Sequence, residues 1–380
     1  MKKILLVVLV SIISISTVVT FSLAGCKPSE EEEEEIFLGL AAHAVRNSWE
    51  DLYVKAFNWY CEEKGITSTW TEAGYDASIQ ITQAKRLIDM GIDGLIISPW
   101  NIEALTSVME YAEEKGVPVI CTNTTVNSSY PLMFVGYGAK RGGTQLGEEI
   151  VEYLEETYGE AKGTVLELSA GLGTSEDIMR GGGFHEVVDQ YEGIKVITEI
   201  GAADQEQSKT RTLAVLQSGE KIDAVFAQNG SMALGASAAL QAYEGTDPSE
   251  VYIATVDAFP AITDEIASGY IDIAVDQTPA FYNPIAIHYL LEYIEKGESA
   301  LPKVGDTITA DDLQFSSGNE YLGIDPWAEP MWAPAEIQHM TDYSEEITED
   351  YLWFQTNAVV VTEENCDSKL LWGNFPIPGW

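Results

Sequence analysis

The sequence predicts an α/β protein made of two doubly wound parallel-sheet lobes joined by a hinge. Three observations carry this reading. Short apolar runs alternate with amphipathic segments of helical period from residue 36 to about 305. The runs are apolar nearly throughout rather than at every second residue, as in parallel strands covered on both faces. The span is also longer than one hydrophobic core comfortably holds, so two lobes are expected.

Residues 36–42 (IFLGLAA) read as the first strand, followed by a helix over 49–64 that stops at Gly65. ITSTW (66–70) comes next, then a helix over 77–90 whose Ile81, Ala84 and Ile88 share one face. LIIS (95–98) is a strand, and the following helix aligns Ala104, Leu105, Val108, Met109 and Ala112 before VPVIC (117–121). Five further strands are expected at 164–169, 194–200, 223–228, 251–257 and 271–277. The lobe change is placed in the glycine-rich segment 134–143, read as irregular. The first lobe then comprises 36–138 plus 278–305 and the second 139–277. Crossings between them are expected near 134–138, 277 and 305. The aromatic-rich segment 306–380, with Trp327, Trp332, Trp353 and Trp372, is an extension expected on the second lobe, its tryptophans serving as packing.

Two lysines followed by a long uncharged run have the layout of a secretory signal over 1–25. The run is long enough to span a membrane as an anchor, the competing reading. Leu23-Ala24-Gly25-Cys26 tips the balance because it resembles the lipobox of bacterial lipoproteins. That resemblance implies that Cys26 becomes an acylated N-terminus. Residues 26–35, ending in a run of glutamates, then form an acidic tether, extended by charge repulsion.

Twenty Lys and Arg against 61 Asp and Glu give a formal charge of −41. A chain so acidic repels phosphate backbones, so nucleic acid is not an expected partner. Cys61, Cys121 and Cys366 leave room for one internal disulfide, and Cys121 reads as a small core residue. No CxxC occurs and the four histidines are scattered, so no metal site is expected. Gly171-Leu172-Gly173 lacks the third glycine of a dinucleotide fingerprint. Phosphate-cradling, HExxH and GxSxG motifs are absent, and no catalytic residue or cofactor is expected.

In doubly wound sheets, ligands bind outside the carboxyl ends of the strands. Here those ends run into His43, Arg46, Asn47, Trp49 and Glu50; Pro99, Trp100 and Asn101; Asn123 and Thr124; Glu176 and Asp177; Asn229; Asp257; and Gln277. Amides and carboxylates engage adjacent hydroxyls, and an indole covers the apolar face of a sugar ring, so the set suits a polyhydroxylated ligand. Each residue also has a local explanation. Asn101 and Asn229 suit caps or turns, Trp100 suits packing, and Glu50 suits the first turn of a helix. Taken together, so many polar strand ends favour a site.

The chain resembles the ribose-binding protein family, sugar-binding components of ABC importers with the type I periplasmic binding protein fold. The resemblance lies in Phe226-Ala227-Gln228-Asn229 with Met232-Ala233-Leu234-Gly235-Ala236, in DMGIDGLIISP (89–99) and in GVPVI (116–120). Gly173-Thr174-Ser175, Arg180-Gly181 and Gly183-Phe184 add to it, and the likeness covers about 36–305. By position it implies that Asn47 and Trp49 contact the ligand from the first lobe, and Asn229, Asp257 and Gln277 from the second lobe and hinge. The chain departs from the pattern at three places. Asn123-Thr124 replace an aspartate–arginine pair, and Glu50 stands where a second aromatic is usual. Ile178 replaces the sugar-contacting arginine, while Arg180 matches a neighbouring arginine read as structural. Arg46 is the nearest candidate in sequence to supply the missing guanidinium; an exposed arginine balancing an acidic surface is the alternative. VVVTEENCDSKLLWGN resembles the ending of longer sugar-binding relatives.

The function this implies is an extracytoplasmic lipoprotein, held to the membrane by its lipid and expected to act as a monomer. It would capture a monosaccharide or polyol and pass it to the permease subunits of an importer. The alternative is a receptor that presents its ligand to a membrane sensor or chemotaxis system.

Overall fold

The computed structural model describes residues 35–313, 315 and 330–374. The expected signal segment, Cys26 and all of the tether but Glu35 lie outside the described residues, as does Trp327. The first strands are β1 (Phe37–Ala42), β2 (Thr67–Glu72), β3 (Gly94–Ile97), β4 (Val119–Thr122) and β5 (Met133–Tyr137). Helices α1 (Ser48–Lys64), α2 (Ala77–Asp89) and α3 (Thr106–Lys115) connect them. The second set is β6 (Gly163–Ser169), β7 (Ile194–Ile200), β8 (Ala224–Ala227), β9 (Tyr252–Val256) and β10 (Ile273–Asp276). Helix α4 (Ala139–Tyr158) leads into it, and α5 (Gly182–Val188), α6 (Gln205–Gln217), α7 (Gly230–Ala242) and α8 (Pro260–Ala267) lie within it. Helix α9 (Pro279–Lys296) returns the chain to the first sheet, followed by β11 (Thr307–Ile308), β12 (Ala335–His339), β13 (Leu352–Thr356) and β14 (Val359–Val361).

The two sheets share one plan. β2-β1-β3-β4-β5 and β7-β6-β8-β9-β10 are both parallel with the doubly wound order 2-1-3-4-5. The central strands are sealed on both faces, as their unbroken apolar runs require. Every residue of β3, β4, β8 and β10 is buried, and each large aliphatic side chain so placed contributes about 1.5–3 kcal/mol. Cys121 is among them, and Cys61, Cys121 and Cys366 are all unpaired thiols.

Three sequence expectations change. Segment 134–143 is not irregular: it is the buried strand β5 and the start of α4. Its glycines serve helix packing. A Cβ at Gly143 would collide with the Arg180 carbonyl, and one at Gly183 with the Lys140 carbonyl, so α4 and α5 meet backbone to backbone. The C-terminal extension does not sit on the second lobe alone. β13 joins β5 in parallel, β12 and β11 pair outward antiparallel, and β14 alone lies antiparallel on β10. Unpaired edges of β5 and β10 present free N–H and C=O groups, and the extension covers both. Consequently the third crossing lies between β13 and β14, at 357–358, rather than near 305, where the chain stays with the first sheet.

The extension's aromatics pack where these strands lie. Trp332 faces Phe354 at 5.8 Å, Trp353 donates from Nε1 to the Gly136 carbonyl at 2.9 Å, and Trp372 donates to Asp276 Oδ1 at 3.0 Å.

Candidate functional site

The carboxyl edges of the two sheets face one another across a small cleft. His43, Asn47, Trp49, Glu50, Asn123, Glu176, Arg180, Asn229, Asp257 and Gln277 line it.

Each lining residue is placed by a strand end or a helix start. Asn47 caps α1, accepting the Glu50 N–H at 3.0 Å, and Asn229 caps α7, accepting the Met232 N–H at 3.2 Å. Capping therefore does not compete with the cleft, because the helix starts themselves point at it. Asn123 follows β4 and Asp257 follows β9, both with left-handed backbones at φ 63 and 74. Asn and Asp tolerate this region better than other side chains, at some strain.

His43 is buried, its Nδ1 2.7 Å from Ser98 Oγ and its Nε2 3.5 Å from Glu50 Oε1. Glu50 also accepts from the Tyr75 hydroxyl and from the Arg46 backbone N–H at 2.5 Å. Burial raises the Glu50 carboxyl, but these partners outweigh it and hold the group below its ordinary value. Trp49 stacks on Tyr53 at 5.5 Å and donates from Nε1 to the Gln277 carbonyl at 3.2 Å, tying α1 to the end of β10. Gln277 in turn donates to Asp257 Oδ1 at 2.9 Å. Burial pushes Asp257 up to about 6; Arg180 and Gln277 pull it down and Glu176 and Glu50 push it further up.

Eight of the ten residues expected at the site line this cleft, and two do not. Arg46 is exposed; its guanidinium donates to the Gly74 carbonyl at 3.3 Å and lies 5.6 Å from the Tyr75 ring. It lines a neighbouring hollow with Ser48, Ala203 and Phe259. Asp177 is turned into its own loop, accepting from Ser169 Oγ at 2.6 Å and from the Gly173 N–H at 3.3 Å. Their places are taken by Arg180 and Glu176. Arg180, read as structural, is 2% exposed and stands within the cleft wall, donating to the Gln228 carbonyl at 2.6 Å. The signal was present in the spacing: Glu176 and Arg180 are four apart, and the π-helical turn Asp177–Gly181 puts both on the cleft side. Trp100 packs against His43 and Tyr75 and is not among the lining residues.

The lobes touch beyond the cavity. Asn101 Nδ2 donates to the Gly173 carbonyl at 2.8 Å, and Ser175 Oγ donates to the Pro99 carbonyl at 3.2 Å. A small polar space walled from two lobes is built to enclose a ligand. The class defined by this fold and cleft is a two-lobed binding protein. A family profile described as periplasmic binding protein domain matches residues 38–299, and the chain belongs to that family, whose members bind ligands outside the cytoplasm and are not enzymes. The ribose import binding protein of Bacillus subtilis (strain 168) is 30% identical over 218 residues, 56% of this chain and 68% of that protein. The xylitol-binding protein of Mycolicibacterium smegmatis is 28% identical over 213 residues, 55% of this chain and 58% of that one. In fold, the chain matches the crystal structure of a galactofuranose binding protein with a TM-score of 0.69 at 18% identity, covering 88% of this chain and 97% of that one.

Proposed function

We propose that this protein is a lipid-anchored, extracytoplasmic solute-binding protein that captures a monosaccharide or polyol and delivers it to an ABC importer. The observation that carries the reading is the cleft itself. Amides and carboxylates from both lobes converge on one cleft, with Trp49 at its wall. Such a set pairs with vicinal hydroxyls, and a ligand touching both lobes favours the closed form over the open one. The relatives that bind ribose and xylitol support the same ligand class.

A thermal-shift screen of the purified protein over pentoses, hexoses and polyols tests it. A ligand present at a hundred times its Kd stabilises the native state by about 2.7 kcal/mol, a clear rise in melting temperature. A screen in which no sugar or polyol raises it at millimolar concentration rejects the proposal.

A further inference from the structure

The charges around the cleft do not balance. Glu50, Glu176 and Asp257 are each less than 9% exposed and face one guanidinium, that of Arg180. Glu50 is settled within its own group by Tyr75, the Arg46 N–H and His43. Glu176 and Asp257 share what remains, and they share it poorly. Arg180 Nη1 lies 3.6 Å from Glu176 Oε1 and 3.8 Å from Asp257 Oδ2, beyond hydrogen-bond reach, because it donates instead to Gln228. The other oxygens of the two carboxylates are taken by Asn229 Nδ2 at 3.1 Å and Gln277 Nε2 at 2.9 Å. Glu176 Oε1 and Asp257 Oδ2 are thus left without a hydrogen-bond donor among the described residues. From the opposite lobe, the Asn123 amide oxygen is buried with no hydrogen-bond partner among the described residues, on a residue 4% exposed.

We infer that the ligand of this cleft is a polyhydroxylated ring or chain bearing a protonated amine, an amino sugar or amino-cyclitol, seated with its ammonium toward Glu176, Asp257 and Asn123. The inference rests on the sugar- or polyol-binding reading above and specifies it. Two carboxylates against one guanidinium leave one negative charge that closure would bury unpaired, a cost of several kcal/mol in a dry site. An ammonium removes that charge, and its three N–H donors, with no acceptor, match three open acceptor oxygens. A neutral hydroxyl fills an acceptor but leaves the charge. The protein's own remedy would be to protonate Asp257, in keeping with the upward push on that carboxyl. Among the described residues, the only other basic side chain lining the cleft is His43, which lies 3.5 Å from Glu50. Asp177 stands behind the cleft wall and supplies no cation, while Arg46 is exposed and directed at Gly74 and Tyr75.

Titration calorimetry of the purified protein at pH 7 with matched ligands tests this. The pairs are D-glucosamine with D-glucose, D-galactosamine with D-galactose, and an amino-inositol with myo-inositol, each with its N-acetyl derivative to control for size. In at least one set the free amine is expected to bind at least tenfold more tightly than both the neutral parent and the N-acetyl form. Glu176→Gln should abolish that preference; Asp257→Asn serves if the first variant has an altered melting curve. Neutral sugars or polyols that bind as tightly as their amines, or that bind where no amine does, overturn the inference and leave the sugar-binding reading standing. Failure of every amine and every neutral compound overturns both.

Discussion

Asn123 and Asp257 are structural counterparts in the two lobes. Each follows the fourth strand of its sheet and has a left-handed backbone, and each donates its N–H to the fifth strand, to the Val135 carbonyl at 3.0 Å and the Val275 carbonyl at 2.9 Å. The doubled βα plan therefore aims one strained side chain from each lobe at the same cleft. Strain held for aim is released by glycine, which adopts this backbone freely. Asp257→Gly is expected to weaken ligand binding at least tenfold while the ligand-free melting temperature stays level or rises. Calorimetry paired with a melting curve measures both, and a fall in stability with unchanged affinity would assign Asp257 to the scaffold.

Arg180 and Arg46 should separate cleanly. An ammonium cannot reproduce the planar fork of a guanidinium, and Arg180 is the one buried in the cleft wall. Arg180→Lys should weaken binding by tenfold or more, and Arg46→Lys by no more than about twofold. The reverse order would restore Arg46 as the ligand-contacting arginine.

Asn101 bridges the lobes through its amide N–H to the Gly173 carbonyl and accepts the Ala104 N–H through its oxygen at 2.8 Å. Asn101→Asp keeps the local turn but sets an oxygen against an oxygen across the cleft. Losing such a bond costs about 1–3 kcal/mol, from several-fold to about a hundredfold in affinity. Because only the closed form is penalised, small-angle scattering should show the variant with ligand more expanded than the parent with ligand. Identical affinity would place this contact outside the closure equilibrium.

Asp276 sets a pH dependence. Burial pushes it from an ordinary 3.8 up to about 7, against hydrogen bonds from the Ala258 N–H and Trp372 Nε1. Between those values the folded protein holds a proton that the unfolded chain has released. The resulting stability is complete below about 3.8 and is lost as pH rises toward 7, by up to about 1.4 kcal/mol per unit. Asp257 and Asp272, each raised to about 6, act in the same direction at lower pH. Denaturant titrations from pH 4 to 8 should show stability falling, and in Asp276→Asn the fall between pH 6 and 7 should be smaller. An unchanged slope in that interval would exclude Asp276 as its source.

Attachment to the membrane should depend on Cys26. The acidic body gains nothing from an anionic lipid surface, so the acyl chains must supply the affinity. Cys26→Ser is expected to move the processed protein from the membrane fraction into the medium or soluble fraction. Processed protein that stays with the membrane would refute lipid anchoring.

Much of this protein was readable before folding because the information was local. The apolar runs that became β3, β4, β8 and β10 declared parallel strands, and parallel strands declared their carboxyl ends as the binding edge. From that rule alone His43, Asn47, Trp49, Glu50, Asn123, Asn229, Asp257 and Gln277 could be named, since a side chain just past a strand has one edge to occupy. What only the tertiary structure decided concerns direction and pairing at a distance. Whether Glu176 or Asp177 enters the cleft depends on the folded loop, where Ser169 Oγ and the Gly173 N–H hold Asp177 and leave Glu176 to the cleft. Arg180 stands in the cleft wall with its carbonyl packed against Gly143 of α4, whereas Arg46 turns to the Gly74 carbonyl. The extension lies on β5 as well as β10 because both edges were open, and open edges are a property of assembled sheets, invisible in any one strand. The unmatched charge near Asp257 arose the same way: each carboxylate is ordinary in its own segment, and their excess over Arg180 exists only once the two sheets bring them together.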